Sequence, residues 1–185
     1  LEMDYNSVTV EDIASRAGIS AMTIYSYYKT KGGLLLAVVY QSEQKMNEKI
    51  DKLSKNPTGS ATDAIIRICN AMSDHALSYL SREIWRWVVA TSILEADSEF
   101  GESYVLIEEQ LVDVIAHMLG VLRERGKAAA DLDDDLIAEI LFSVYNARFF
   151  QFVRDKRLSR RQFDKLVARD LTVVMKSISI QPATR

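Results

Sequence analysis

Small hydroxyls, tyrosines and basic side chains crowd the first forty residues, and their types suit contact with a polyanion. Thr9, Ser20, Tyr25 and Tyr27 each carry a hydroxyl, and Lys31 adds an ammonium. Ser, Thr and Tyr donate to phosphate oxygens and Lys neutralises them, so this set reads as a phosphate-positioning group. Ala21, Met22, Thr23 and Ser26 stand among them. These short or apolar side chains can touch base edges, with Ala21 or Met22 suited to a thymine methyl. No Arg, Asn or Gln lies between Ala21 and Tyr28 to offer a bidentate base contact. Readout there is expected to lean on apolar contacts and duplex shape. Between Ile13 and Ser42 there is no Asp or Glu, although the 185-residue chain carries a formal net charge of −3. An acid-free window in an acidic chain suits a surface that meets phosphates.

Other chemistry finds little support. No nucleophile stands with a paired base, and there is no phosphate loop or metal-ligand spacing. Neither an enzyme nor a cofactor is expected. His75 and His117 lack the HxxxH or CxxC neighbours of a metal site. Asp131, Asp133, Asp134 and Asp135 lack the Gly and distal Glu of a calcium loop. Acids before a helix are better explained by the helix dipole. Cys69 is the only cysteine. It excludes an intrachain disulfide, suits a reducing cytoplasm, and is expected to be buried in an apolar stripe.

The elements that must position the polar set are short helices. Thr9 with Asp12 forms a capping-box pattern. Ile13, Ala14 and Ala17 fall on one face of the first helix. Gly18 follows, where a turn needs positive φ. Ser20 can cap a second helix, Ala21 to Tyr28, with Ile24 pointing inward, and Thr30 opens a third. Two short helices across a tight turn are the pattern of a helix-turn-helix unit. The segment closely resembles the N-terminal domain of the TetR (tetracycline-repressor) family of transcriptional regulators. The residues that carry the resemblance are Thr9-Val10, Ile13-Ala14, Ala17-Gly18, Ser20, Thr23-Ile24-Tyr25, Tyr28, Lys31 and Leu34. It implies binding to double-stranded DNA at a palindromic operator, most simply as a repressor.

Two features depart from the family pattern. The family has a full helix before Thr9, whereas only Leu1 to Val8 precede it here and the first residue is not Met. The chain is therefore expected to begin inside a longer protein. Gly32-Gly33 replaces a helix-forming, often acidic pair. Each Gly costs roughly 1 kcal/mol against Ala inside a helix. The start of the third helix is expected to be soft and to act as a hinge.

The rest of the chain is expected to be all-α, divided into a DNA-binding domain (1–55) and a helical effector-binding and dimerisation domain (56–185). Apolar positions predict a third helix from Lys31 to Leu53, ended by Pro57 and Gly59. Ser60 with Asp63 opens the next, to Leu80, and Ser81 begins one through Ala96. A long helix spans Glu99 to Arg125, with Val105, Leu111, Val112, Ile115, Met118, Leu119 and Leu122 inward. Helices over Leu136–Lys156 and Gln162–Ile178 follow, the last capped by Ser159. No stretch approaches the roughly twenty apolar residues of a membrane span. No secretory leader is expected.

The second part is rich in aromatics, which read either as plain core or as the wall of a cavity. Pockets are mostly apolar with a few convergent polar groups. Met72, His75, Tyr79, Trp85, Tyr104 and Phe149 are the candidate wall, and a small apolar or aromatic effector is the expected ligand. The last two helices carry wide apolar faces, with Phe142, Tyr145, Phe163, Leu166, Val167, Val173 and Val174. The resemblance implies that these helices pair with their symmetry mates in a homodimer; alternatively, one subunit buries them itself. A palindromic site asks for two recognition helices, which favours the dimer. The competing functional reading is a helical ligand-binding or protein-interaction module that does not bind DNA.

Overall fold

The computed structural model describes residues 7–128 and 133–178. Its helices are α1 (Val10–Ala17), α2 (Ala21–Tyr28), α3 (Lys31–Lys55), α4 (Ala61–Tyr79), α5 (Arg82–Leu94), α6 (Glu99–Glu124), α7 (Asp134–Arg154) and α8 (Arg160–Ile178). No strand occurs among the described residues. Local chemistry sets the helix starts. The Thr9 and Asp12 pair closes a capping box on α1, as Ser60 and Asp63 do on α4. Ser159 accepts from the Gln162 N–H at 3.3 Å while Gln162 Oε1 accepts from the Ser159 N–H at 2.8 Å, opening α8. Asp133 accepts from the Leu136 N–H at 3.1 Å and starts α7. Asp134 instead pairs with Arg123 of α6 at 2.7 Å. Asp131 lies outside the described residues.

Two hydrophobic clusters form. The small one joins Val10, Ala14 and Ile24, with Ile13, Ala21 and Leu34 packed against it. The large one takes the inner faces of α3 to α8. The long helix α3 belongs to both: Leu34 faces the small cluster, while Leu35, Leu36, Val39, Met46 and Ile50 enter the large one. A helix shared this way is a rigid strut between the helix-turn-helix unit and the bundle. Cys69 is fully buried in α4, and burial pushes its thiol up to about 12.

Three sequence-based expectations change here. Phe163 and Val167 are 0% exposed, and Phe142 and Tyr145 are also buried within the single chain. The reason is that α8 lies against both α4 and α7, so its most apolar face looks into its own subunit. The Phe163 ring stands 5.0 Å from Phe152 and 6.3 Å from Phe149. The subunit's own helices already bury these four, so they leave little surface for a partner. Leu166 and Val174 are half-buried, and Val173 alone of that set is open, at 68%. The exposed apolar residues of the two helices are Leu136, Ile140 and Val173. Second, Val105 is exposed. The inward stripe of α6 starts instead from Phe100, Tyr104 and Ile107, one position out of phase with Val105. Third, α7 is long and apolar enough to cross a membrane by length and composition. Its seven buried residues, from Ala138 to Val153, show why: it is the central helix of the bundle and is covered by α5, α6 and α8.

Candidate functional site

The α1–α2 turn is built by Gly18, which takes φ +69°, followed by the Ser20 cap. The short hydroxyls serve this local frame. Thr9 Oγ1 accepts from the Asp12 N–H at 3.1 Å and donates to Asp12 Oδ2 at 2.7 Å. The Thr9 N–H, which donates to Asp12 Oδ2 at 2.8 Å, and the Thr9 hydroxyl together hold the Asp12 carboxyl below the usual carboxylate range. Ser20 Oγ accepts from the Thr23 N–H at 3.1 Å and shares a hydrogen bond with Thr23 Oγ1 at 2.8 Å. Ser26 donates to the Thr23 carbonyl at 2.8 Å.

What α2 presents outward is therefore mainly apolar and phenolic. Met22 is 79% exposed and Tyr27 77%, and Tyr25 is open as well. Ile24 anchors the opposite face. Ala21 is half-buried against the small cluster, which removes it from the outer face where a base-edge contact would need it. Lys31 is half-buried at the first turn of α3. Tyr28 and Lys29, which the sequence reading passed over as contact residues, are exposed beside Tyr27. Their signal was continuity: they extend the acid-free run to the end of the helix.

The glycine pair has a steric role rather than a merely flexible one. A Cβ on Gly33 would overlap the carbonyl oxygen of Tyr28, so α2 can end directly on the first turn of α3 only with glycine there. Thr30 caps that turn by accepting from the Gly33 N–H at 2.9 Å. Lys29, between the helices, takes φ 53°. Gly32 makes room for another element: the Phe100 ring of α6 stands 3.5 Å from where its Cβ would be. Around this contact, Lys29 faces Glu99 at 3.9 Å and Tyr40 donates to the Ser103 carbonyl at 3.4 Å. The ion pair is exposed and contributes little by itself.

The middle of the same α6 helix lines a small, largely apolar cavity of about 60 Å³ in the bundle. All six candidate wall residues, Met72, His75, Tyr79, Trp85, Tyr104 and Phe149, border it. Phe142 and Tyr145, read from sequence as interface, border it too. Trp85 meets Phe149 edge-on at 5.4 Å and donates its indole N–H to the Ala76 carbonyl at 2.8 Å. The Tyr145 hydroxyl and Ser73 Oγ are 3.0 Å apart. Burial pushes the Tyr104 and Tyr145 phenols well above their usual range.

Glu108 and Asn146 also border the cavity, and sequence reading missed both. Asn146 Nδ2 donates to Glu108 Oε1 at 2.7 Å. Burial raises the Glu108 carboxyl, opposed by that hydrogen bond. Spacing held the signal: Glu108 follows Tyr104 by four residues and Asn146 follows Phe142 by four, so each shares a face with an aromatic wall residue. No group of three or more His, Cys, Asp or Glu able to hold a metal occurs among the described residues.

The chain is thus a helix-turn-helix unit strutted to a helical bundle that holds a cavity. Residues 2–38 match the family described as bacterial regulatory proteins, tetR family. The HTH-type transcriptional regulator EthR of Mycolicibacterium smegmatis is 22% identical over 128 residues, covering 67% of this chain and 55% of that protein. The chain thus matches only about half the length of that relative. Thermus thermophilus FadR, a TetR-family transcriptional repressor solved with lauroyl-CoA, shares the fold with a TM-score of 0.75. That match is at 17% identity and covers 100% of this chain and 91% of that one. Bacillus subtilis FadR with stearoyl-CoA gives 0.64 at 17% identity, over 94% and 90% of the two chains. The N-terminal segment thus matches the TetR family of bacterial regulatory proteins, and the chain as a whole shares the fold of TetR-family structures.

Proposed function

We propose that this chain is a ligand-responsive transcriptional regulator, a repressor that binds a palindromic operator as a homodimer in the cytoplasm. A small apolar or aromatic effector in the bundle releases it. Residues 1–55 carry DNA binding, and 56–185 carry the effector site and the dimer surface. The relatives' names support a regulator, the two FadR structures in complex with acyl-CoA support a small-molecule effector, and the cavity gives it a place in this chain.

The observation that carries the proposal is the double engagement of α6. Its first turn meets Gly32 through Phe100, and its next two turns line the cavity with Tyr104, Ile107, Glu108 and Leu111. A ligand that fits only one placement of α6 biases the placement of α3, and with it the spacing of paired recognition helices. The test is selection of random duplex DNA on the protein, followed by effector titration against the selected duplex. A recovered palindrome that the protein releases on ligand addition supports the proposal. No enriched sequence, with a folded dimer present, rejects it in favour of a module without DNA binding.

Met22, Tyr25, Tyr27 and Lys31 are the proposed DNA contacts, with Thr9, Ser20, Thr23 and Ser26 holding the frame and lending their hydroxyl oxygens at its edge. Lys31→Ala should weaken binding to all sequences alike and lower the salt slope by about one per subunit engaged. A changed sequence preference in the selected pool would show that Lys31 reads bases instead. The proposed dimer surface is the open side of α7 and α8, centred on Leu136, Ile140 and Val173. Val173→Asp combined with Ile140→Asp should yield folded monomers by sedimentation. A dimer that survives the double substitution would place the interface elsewhere.

A further inference from the structure

We infer that the cavity selects a cationic ligand, an apolar or aromatic body with one positively charged nitrogen seated against the Glu108–Asn146 pair. The inference rests on the reading of the cavity as an effector site. Among the described residues no Lys or Arg borders the cavity, and Glu108 is the one carboxylic acid that does. The remaining wall is almost wholly apolar or aromatic. An anionic headgroup entering it would lose its water and find neither Lys nor Arg to replace it, next to a carboxylate. A cation would find the opposite. Glu108 offers its carboxylate, and Trp85, Tyr104, Tyr145 and Phe149 line the same cavity with the ring types that attract cations.

The pair itself looks built for such a guest. Glu108 sits on α6 and Asn146 on α7, so the hydrogen bond between them spans two helices across the cavity wall. Asn146 engages Oε1, which orients the carboxyl and leaves Oε2 without a hydrogen-bond partner among the described residues. No Lys or Arg forms an ion pair with Glu108 among those residues. A half-buried carboxylate with an amide neighbour and no counter-ion is a cost to the empty fold that a bound cation would offset. The sign follows from the raised carboxyl: folding favours its neutral form, so the stability it contributes at low pH is lost as pH rises through its folded value. Glu108→Gln is therefore expected to melt no lower than the parent protein at pH 8, which keeps it usable as a test.

The test is tryptophan fluorescence of the intact protein at pH 8, with displacement from its selected duplex as a second readout. Dodecyltrimethylammonium, dodecanol, dodecanoate and lauroyl-CoA are titrated below their micellar concentrations. The ammonium should bind at least tenfold tighter than dodecanol, and dodecanoate should bind weakest. Glu108→Gln should cost the ammonium tenfold or more while changing dodecanol less than threefold. Tighter binding of dodecanoate or lauroyl-CoA than of the ammonium overturns the inference and leaves the cavity an effector site of other charge preference. An unchanged order in Glu108→Gln overturns it as well. If all four ligands leave fluorescence and DNA binding untouched, the effector reading of the cavity falls together with this inference.

Discussion

Gly33→Ala should weaken DNA binding by about tenfold to a hundredfold while leaving the bundle folded. The added methyl cannot be absorbed by a rotating side chain, because the atom in its way is the Tyr28 carbonyl oxygen. That carbonyl is fixed by the end of α2 and accepts from the Thr30 N–H at 2.5 Å. Overpacking a tight contact costs about 1–3 kcal/mol. At roughly 1.4 kcal/mol per factor of ten, that is one to two decades if the strain is relieved by tilting α2 away from its binding pose. The large cluster of the bundle holds α3 from Leu35 onward, so far-UV circular dichroism and the main thermal transition should change little. Gly32→Ala is the matched control. Its methyl would meet Phe100 at 3.5 Å, an ordinary contact, and should alter operator affinity by less than threefold. Equal loss in both variants would mean that backbone freedom, not close approach, is what the pair supplies.

Helix placement was legible because capping chemistry and turn residues are local. Thr9 and Asp12, Ser60 and Asp63, and Ser159 and Gln162 each satisfy backbone donors within three residues, so their pattern survives without knowledge of the fold. The cavity wall was legible for a related reason. Large side chains that end in a polar atom, such as Trp85 and Tyr104, need a place where body and tip are both served, and a cavity provides one. The close packing at the glycine pair was not legible because its reason is not local. Nothing in Gly32-Gly33 announces that a carbonyl from the preceding helix and a ring from α6 occupy the space of their missing side chains. The same holds for Glu108. Its charge argues for solvent when read alone, and only the neighbouring turns of α6 and α7 turn it toward the interior.

Direction was the hardest thing to read. An apolar helical face states that it will be buried, not by what. Phe163 and Val167 look the same whether the partner is the subunit's own α4 and α7 or a second copy of α8, and hydrophobic periodicity is blind to the difference. What separates the two is coverage within one chain. The bundle supplies enough apolar surface to bury Phe163 to 0% exposure, and the face left for a partner is the thinner one marked by Val173.

This distinction gives the other large effect. Phe163→Ala should destabilise the subunit by about 3–5 kcal/mol, the usual cost of emptying a fully buried phenylalanine site. For a chain of this length that lowers the melting temperature by roughly 6–20 °C. The site has little room to collapse, because the rings of Phe149 and Phe152 on α7 and the guanidinium of Arg160 at the start of α8 pack around it. The loss should appear in denaturant unfolding under conditions where the protein is monomeric, including in the Val173→Asp, Ile140→Asp background. An interface residue would behave in the opposite way: its truncation would weaken association, and the penalty would vanish once the subunits were apart. A stability loss that disappears in the monomeric background would therefore return Phe163 to the dimer surface. A loss that persists there fixes it as the keystone of the cavity's rear wall, where Phe149 leans on it.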